Sequence, residues 1–155
     1  MENFKIQFSQ VFLKLLEFEL TASQKEVLLA FADFVKVEKE RKLFILSGYA
    51  GTGKTSLIGN LVKTLKHFNR YCVLLAPTGR AAKVFSNFAG QKAYTIHKRI
   101  YRKQKIENGS IQLVLSINLS KNTVFIIDEA SMIADYAVEK NGSISGRNLL
   151  EDLIH

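Results

Sequence analysis

A glycine-rich octapeptide constrains the fold of this 155-residue chain more than any other feature of the sequence. Residues 48–55 read GYAGTGKT, which matches the pattern G-x-x-x-x-G-K-[ST] and directly follows the apolar run KLFILS at 42–47. The glycines allow the backbone to wrap so that successive N–H groups face one anion, and the helix that follows adds the positive end of its dipole. The pattern therefore predicts a buried strand, a phosphate-binding loop and a helix in immediate succession.

A nucleoside triphosphate with magnesium is the ligand expected for this loop, and we take the nucleotide to be ATP. Lys54 is expected to reach the β- and γ-phosphates, and the hydroxyl of Thr55 is expected to ligate Mg²⁺. Because Lys54 contacts the phosphates that react, it is also assigned to catalysis. The loop residues assigned to ATP binding are Gly48, Ala50, Gly51, Thr52, Gly53, Lys54, Thr55 and Ser56.

Two carboxylates, Asp128 and Glu129, follow the apolar segment VFII. An aspartate at the end of a buried strand can hold Mg²⁺ directly or through water, and a glutamate beside it can orient and deprotonate an attacking water. The alternative is a pair of solvated acids at the N-terminus of the next helix, where negative charge is favourable. With a phosphate-binding loop on the same sheet, we predict that Asp128 is a metal ligand and Glu129 the general base.

The remaining periodicity predicts an α/β fold with a parallel sheet covered by helices on both faces, because continuous apolar strands alternate with helices. The predicted elements are strands at 42–47, 71–76 and 124–128, helices at 22–39, 53–67, 80–88 and 148–154, a helix or docking arm at 12–20, a hairpin strand at 111–119 after Asn108 and Gly109, and a loop at 141–146. We divide the chain into an N-terminal helical segment, 1–41, and a nucleotide-binding core, 42–155.

The charge of the chain is concentrated in its middle. The net charge is +8, and residues 48–127 carry thirteen Lys or Arg against the single acid Glu107. This segment suits a polyanionic partner, although a solvated basic face without a partner has the same composition. With one cysteine, no apolar run near the roughly 20 residues that cross a bilayer and no signal peptide, we expect no membrane partner and a cytoplasmic location.

Five short motifs in order resemble those of the RecD-type branch of superfamily 1 helicases, superfamily 1B. They are LTASQ at 20–24, the loop at 48–55, APTGRAA at 76–82, TIH at 95–97 and DEASM at 128–132. The resemblance implies a RecA-like first motor domain, 1A, in which Gln24 reads adenine and the segments at 76–82 and 95–97 touch single-stranded DNA. The residues that we assign to DNA on this basis, together with the basic run that follows, are Thr78, Gly79, Arg80, Thr95, His97, Lys98, Arg99 and Arg102.

The residues themselves also allow plainer interpretations. Gln24 has the place of an ordinary exposed helix residue, Thr78 that of a helix N-cap, and His97 that of a packed surface histidine. The cations at 98–105 surround Tyr101, a mixture that suits a nucleic-acid backbone with a stacking platform, or a solvated basic turn.

The function expected from the resemblance is ATP hydrolysis coupled to translocation on single-stranded DNA and to unwinding. The chain ends at His155, before the glutamine that would sense the γ-phosphate and before a second RecA-like domain with its arginines. We therefore expect an incomplete motor domain with a missing partner domain, and a repair or recombination nuclease partner stays open. The alternatives are a switch that binds ATP and DNA without moving, and a small-molecule kinase, for which no arginine-rich lid is evident.

Overall fold

The computed structural model describes residues 2–36, 42–105, 109–133 and 148–154. They form a mixed α/β structure with a parallel three-stranded sheet, as in P-loop nucleoside triphosphatases. The chain separates into two compact units, each of which is described by itself. Unit 1 comprises Met1–Cys72, Phe88–Gly90 and Asn122–Val124, and unit 2 comprises Val73–Asn87, Gln91–Lys121 and Phe125–His155.

Unit 1 is built from three helices, α1 (Glu2–Lys14), α2 (Ala22–Lys36) and α3 (Lys54–His67). Helix α1 packs against both α2 and α3. The predicted arm at 12–20 is helical only to Lys14, and residues 37–39 of the predicted second helix lie outside the described residues. The hydrophobic side chains that form the core of this unit are Phe8, Phe12, Leu20, Leu28, Phe31, Ala32, Val35, Leu57, Leu61, Val62, Leu65 and Ala89.

A buried side chain joins the first and third helices. Asn60 on α3 is 5% exposed, and its Nδ2 donates a hydrogen bond of 2.7 Å to the backbone carbonyl of Phe12. This carbonyl belongs to the last turn of α1, where the helix leaves backbone acceptors without an intrahelical donor. The Asn60 amide and the Phe12 carbonyl therefore satisfy each other's hydrogen-bonding requirement.

The predicted strand at 42–47 is absent, although these residues are described. Leu43 and Ile45 are 74% and 78% exposed, whereas the ring of Phe44 packs against Phe31 and Phe34 of α2. An apolar run indicates a buried strand only if both of its faces are covered. Here helix α2 covers one side of Phe44, and the neighbouring side chains remain in solvent.

The sheet contains β1 (Tyr71–Ala76), β2 (Ala93–Thr95) and β5 (Thr123–Ile127) in the order β2-β1-β5. Strands β1 and β2 are parallel, with Leu74 opposite Ala93 and Ala76 opposite Thr95. The predicted strands at 71–76 and 124–128 are confirmed, except that the second ends at Ile127. Strand β2 was not predicted because three residues are too few to show a periodicity.

Helix α4 (Gly79–Ala89) follows β1 and confirms the helix predicted at 80–88. The hydroxyl of Ser86 donates to the carbonyl of Ala82 at 2.7 Å and accepts from the N–H of Ala93 at 2.9 Å. Ser86 thus links α4 to the start of β2.

Helix α5 (Ile96–Ile100) leads into an antiparallel hairpin of β3 (Tyr101–Lys105) and β4 (Ile111–Leu115). The predicted hairpin strand at 111–119 is confirmed as far as Leu115. Helix α6 (Leu149–Ile154) confirms the helix predicted at 148–154. The predicted turn residue Asn108, the acid Glu107 and the predicted loop at 141–146 lie outside the described residues.

Candidate functional site

The glycine-rich loop lies in unit 1 and leads directly into α3. Gly51 and Gly53 have φ angles of 79° and 83°, in the left-handed region where a side chain would be strained. Gly48 lies close to a side chain, because a Cβ on it would be 3.1 Å from the Thr52 hydroxyl, which would have to shift by a few tenths of an ångström. Gly53 is the N-cap of α3, and because glycine has no side chain, it cannot cap the first N–H groups of the helix.

Lys54 lies at the first residue of α3, and its side chain is folded back across the loop. Its Nζ donates to the carbonyl of Gly48 at 2.5 Å and to that of Tyr49 at 2.7 Å. The hydroxyl of Thr52 also donates to the Tyr49 carbonyl, at 2.9 Å. The ammonium is therefore fixed among the loop carbonyls, next to the backbone that a phosphate-binding loop turns toward its ligand.

Gln24, which the resemblance placed at the adenine, lies against the same loop. Its side-chain Nε2 donates to the carbonyl of Thr52 at 3.1 Å, and its Oε1 accepts from the N–H of Thr21 at 3.0 Å. The N–H of Gln24 in turn donates to the Thr21 hydroxyl at 3.3 Å, which confirms Thr21 as the N-cap of α2. The bond from Gln24 to Thr52 was not predicted. The bonds between Gln24 and Thr21 could have been, because the three-residue spacing of these two side chains is that of a capping box.

The paired carboxylates lie in unit 2, at the carboxyl end of β5. The N–H of Asp128 donates to the carbonyl of Leu75 on β1 at 3.0 Å, and its Oδ1 accepts from the N–H of Glu129 at 3.0 Å. Glu129 is exposed and has a φ of 55°, a conformation that costs a non-glycine residue free energy and often occurs at functional sites. Glu129 precedes a short 3₁₀-helix, Ala130–Met132, but makes no side-chain cap to it, which speaks against a capping role.

The residues assigned to DNA also lie in unit 2, after the parallel strands β1 and β2. Thr78 follows β1, and its hydroxyl accepts from the N–H of Ala81 at 3.1 Å. Thr95 ends β2, and its hydroxyl accepts from the N–H of Lys98 at 3.3 Å. Both threonines are therefore helix N-caps, as the plainer interpretation had it for Thr78. Gly79 and Arg80 are exposed in the first turn of α4.

The basic segment after Thr95 presents its charges to solvent. The ring of His97 is exposed and lies 5.7 Å from that of Tyr101, and the guanidinium of Arg99 donates to the Ser120 hydroxyl at 3.2 Å. Lys98 is exposed on α5, and Arg102 is exposed on β3 opposite Val114. The exposed basic residues of this segment are therefore accessible to a partner, and of those named here only Arg99 makes a side-chain hydrogen bond, to Ser120.

The donor set suits magnesium bound through phosphates rather than a metal held by the protein alone. The described part of the chain contains no cluster of three or more His, Cys, Asp or Glu side chains that could hold a metal ion. The hydroxyl of Thr55, half-buried in the first turn of α3, and the carboxylate of Asp128 are hard oxygen ligands of the kind that Mg²⁺ takes, one or two at a time. Among the described helices, none has both the length and the hydrophobicity needed to span a bilayer.

The loop and the fold together define a P-loop nucleotide-binding domain. The chain belongs to the AAA-domain family, whose model matches residues 19–140. It is also similar to the ATP-dependent DNA helicase dda of Enterobacteria phage T4, with 36% identity over 118 residues. The similar region covers 74% of this chain and 26% of that helicase, so the chain spans about a quarter of the length of its relative.

Proposed function

We propose that this chain is the ATP-binding part of the first RecA-like motor domain of a DNA helicase, of the RecD type in superfamily 1B. The observation that carries the proposal is the glycine-rich loop, in which the Lys54 ammonium is held by the carbonyls of Gly48 and Tyr49 at the start of α3. Similarity to a DNA helicase supports a motor over the other enzymes that use such a loop. A switch that binds ATP and DNA without moving is the second candidate.

The chemistry of the proposed nucleotide site follows from its side chains. Lys54 would exchange its carbonyl partners for the β- and γ-phosphates and neutralise the charge that develops there. Thr55 in unit 1 and Asp128 in unit 2 are each assigned as a ligand of Mg²⁺, which when bound neutralises phosphate charge. Glu129, exposed and without a capping bond, would orient the attacking water and accept its proton.

The proposed path of single-stranded DNA follows the ends of β1 and β2. N-caps such as Thr78 and Thr95 leave other N–H groups of the first turn exposed, and these suit a phosphate. The cations beyond them supply long-range attraction without sequence preference. The residues in this proposed path are Thr78, Gly79, Arg80, Thr95, His97, Lys98, Arg99 and Arg102.

In the complete motor, a second RecA-like domain would supply arginines to the nucleotide and a second stretch of the DNA path. Closing the cleft between two such domains would couple hydrolysis to movement along the strand. In that motor, this chain is proposed to contribute the loop that binds the phosphates of ATP.

Calorimetric titration with MgATP tests the nucleotide site. Lys54→Ala is expected to weaken binding by about tenfold or more, because it removes a charged hydrogen-bond donor from the phosphates. The matched control is Lys63→Ala, which removes an equal charge from an exposed position on the same helix and is expected to leave the affinity unchanged. Equal affinities for wild type and Lys54→Ala would contradict the assignment of the loop, provided that circular dichroism shows both to be folded.

A further inference from the structure

Gln24 makes two hydrogen bonds through its side-chain amide, each to a different part of unit 1. The Oε1 accepts from the Thr21 N–H at 3.0 Å, and the backbone N–H of Gln24 donates to the Thr21 hydroxyl at 3.3 Å. These reciprocal bonds form a capping box, which fixes the rotamer of the glutamine at the start of α2. The bonds with Thr21 thus fix the orientation of the Gln24 amide independently of its contact with the loop.

The second bond reaches the glycine-rich loop across 28 residues of sequence, where Nε2 donates to the carbonyl of Thr52 at 3.1 Å. In a planar trans peptide the C=O and the following N–H point in opposite directions. Anchoring the Thr52 carbonyl on Gln24 therefore also fixes the direction of the Gly53 N–H. Loop N–H groups are the groups with which such a loop binds phosphate, so their orientation determines affinity.

The packing around Gly53 indicates that this approach is close. A Cβ at Gly53 would lie 3.0 Å from Gln24 Nε2, in addition to the strain of its φ of 83°. A side chain at position 53 would therefore displace the glutamine amide from its place beside the loop. The other side of the loop is held separately, by the bonds from Thr52 and Lys54 to the Tyr49 carbonyl.

We propose that Gln24 is a positioning residue for the phosphate-binding loop, acting on the phosphates of any nucleotide through the Thr52 carbonyl. This rests on the proposed nucleotide-binding function and goes beyond the reading of adenine that the resemblance implies. The two roles are compatible, because a primary amide has two N–H donors and two acceptor lone pairs, and the bonds with Thr21 and Thr52 use one of each. The two roles differ in the expected effect of a Gln24 substitution on the binding of a phosphate ligand that has no base: only the positioning role predicts weaker binding.

Two variants separate the bond to the loop from the capping of the helix. Gln24→Met keeps the length of the side chain and removes both the donor to Thr52 and the acceptor for the Thr21 N–H. Thr21→Val removes the capping hydroxyl and keeps the bond from Gln24 to Thr52. A third variant, Gln24→Glu, keeps an acceptor for the Thr21 N–H, as capping boxes do, and loses the amide donor, so it remains informative if Gln24→Met fails to fold.

The experiment is a calorimetric titration of the full chain with MgATP and with magnesium tripolyphosphate, which has no base. Gln24→Met is expected to weaken tripolyphosphate by about three- to tenfold, as loss of one hydrogen bond would, and ATP by at least the same factor. Gln24→Glu is expected to weaken both at least as much, and Thr21→Val to leave both unchanged while lowering the melting temperature.

Four results would overturn the proposal. If Gln24→Met weakened ATP alone, the glutamine would read the base without positioning the loop. If Thr21→Val weakened both ligands as much as Gln24→Met, the effect would come from the helix cap. If wild type bound MgATP but no tripolyphosphate, the loop would not recognise phosphate without the base, and if it bound neither ligand, the proposed nucleotide-binding function would fail as well.

Discussion

The phenol of Tyr101 donates a hydrogen bond of 2.5 Å to the carboxylate of Asp152, a residue that is only 5% exposed. Tyr101 lies where α5 passes into β3, and Asp152 lies on α6, which packs against α5. Burial raises the pKa of the Tyr101 phenol well above its ordinary value, and the hydrogen bond to Asp152 and the negative charge there raise it further. The pair thus fastens the base of the hairpin to the last described helix.

Removing the hydroxyl should destabilise the protein, because a buried carboxylate would lose its donor. We expect Tyr101→Phe to lower the free energy of unfolding by about 1–3 kcal/mol, measured by urea denaturation. The control is Tyr71→Phe, since Tyr71 is 76% exposed, and a change within about 0.5 kcal/mol is expected there. Equal effects of the two variants would show that the bond to Asp152 adds no stability.

The raised pKa of Tyr101 predicts how stability depends on alkaline pH. Because the folded state holds the phenol proton more tightly than the unfolded state, this contribution is fully present below the ordinary tyrosine pKa of about 10. It is lost as the pH rises above that value toward the folded-state pKa. Ultraviolet titration should show one tyrosine ionising later than the others, and Asp152→Asn should lower its pKa toward the ordinary value. A titration unchanged by Asp152→Asn would contradict the assignment.

The two faces of the hairpin are expected to contribute unequally to DNA binding. Lys103 pairs with Leu113 and Lys105 with Ile111 on one face, whereas Arg102 pairs with Val114 on the other. Because Arg102 belongs to the proposed DNA path, we expect Arg102→Gln to weaken binding of a labelled single strand more than Lys103→Gln does. Fluorescence anisotropy over a salt series should show the log–log slope becoming shallower by roughly 0.7 for each phosphate that the protein no longer neutralises.

The control for this series is Lys66→Gln, which removes one exposed cation from α3 in the other unit. A larger effect of Lys103→Gln would assign the DNA to the opposite face. No binding by wild type even at low salt would remove DNA from the proposed function and leave the nucleotide site standing.

Residues 1–155 are expected to hydrolyse ATP slowly and to unwind nothing. In the proposed motor the arginines come from a second RecA-like domain, and such an arginine contributes about 10³ to 10⁵ in rate. Phosphate release, measured with and without an oligonucleotide, should be slow, and Glu129→Gln should reduce it further while leaving ATP affinity unchanged. Fast DNA-stimulated turnover by this chain would contradict the prediction, and a residual rate unaffected by Glu129→Gln would not come from this site.

Local patterns predicted most of the secondary structure. Alternation of apolar strands with helices predicted β1, β5 and α4, and the cap at Thr21 predicted the start of α2, because these elements depend on neighbours within a few residues. The strand predicted at 42–47 was wrong, since hydrophobicity does not reveal which face of Leu43 or Ile45 the fold covers.

The hydrogen bonds of the candidate site were less accessible from sequence. The glycines and Lys54 follow from one motif, but the bond from Gln24 to Thr52 joins residues 28 apart and has no local signal. The bond between Tyr101 and Asp152 joins residues 51 apart, and no local sequence pattern indicates it either. The assigned roles of Asp128, Glu129 and the DNA-binding residues stay predictions.

The amide of Asn60 recognises the main chain of α1, because its partner is the carbonyl of Phe12 and not the phenylalanine ring. Tolerance to substitution should therefore be asymmetric between these two positions. Position 12 can exchange one large apolar side chain for another and still present its carbonyl. Position 60 has no such freedom, because an aliphatic replacement would leave that acceptor buried without its donor. In a mutational library, diversity is expected at the hydrophobic partner and near-invariance at the polar one.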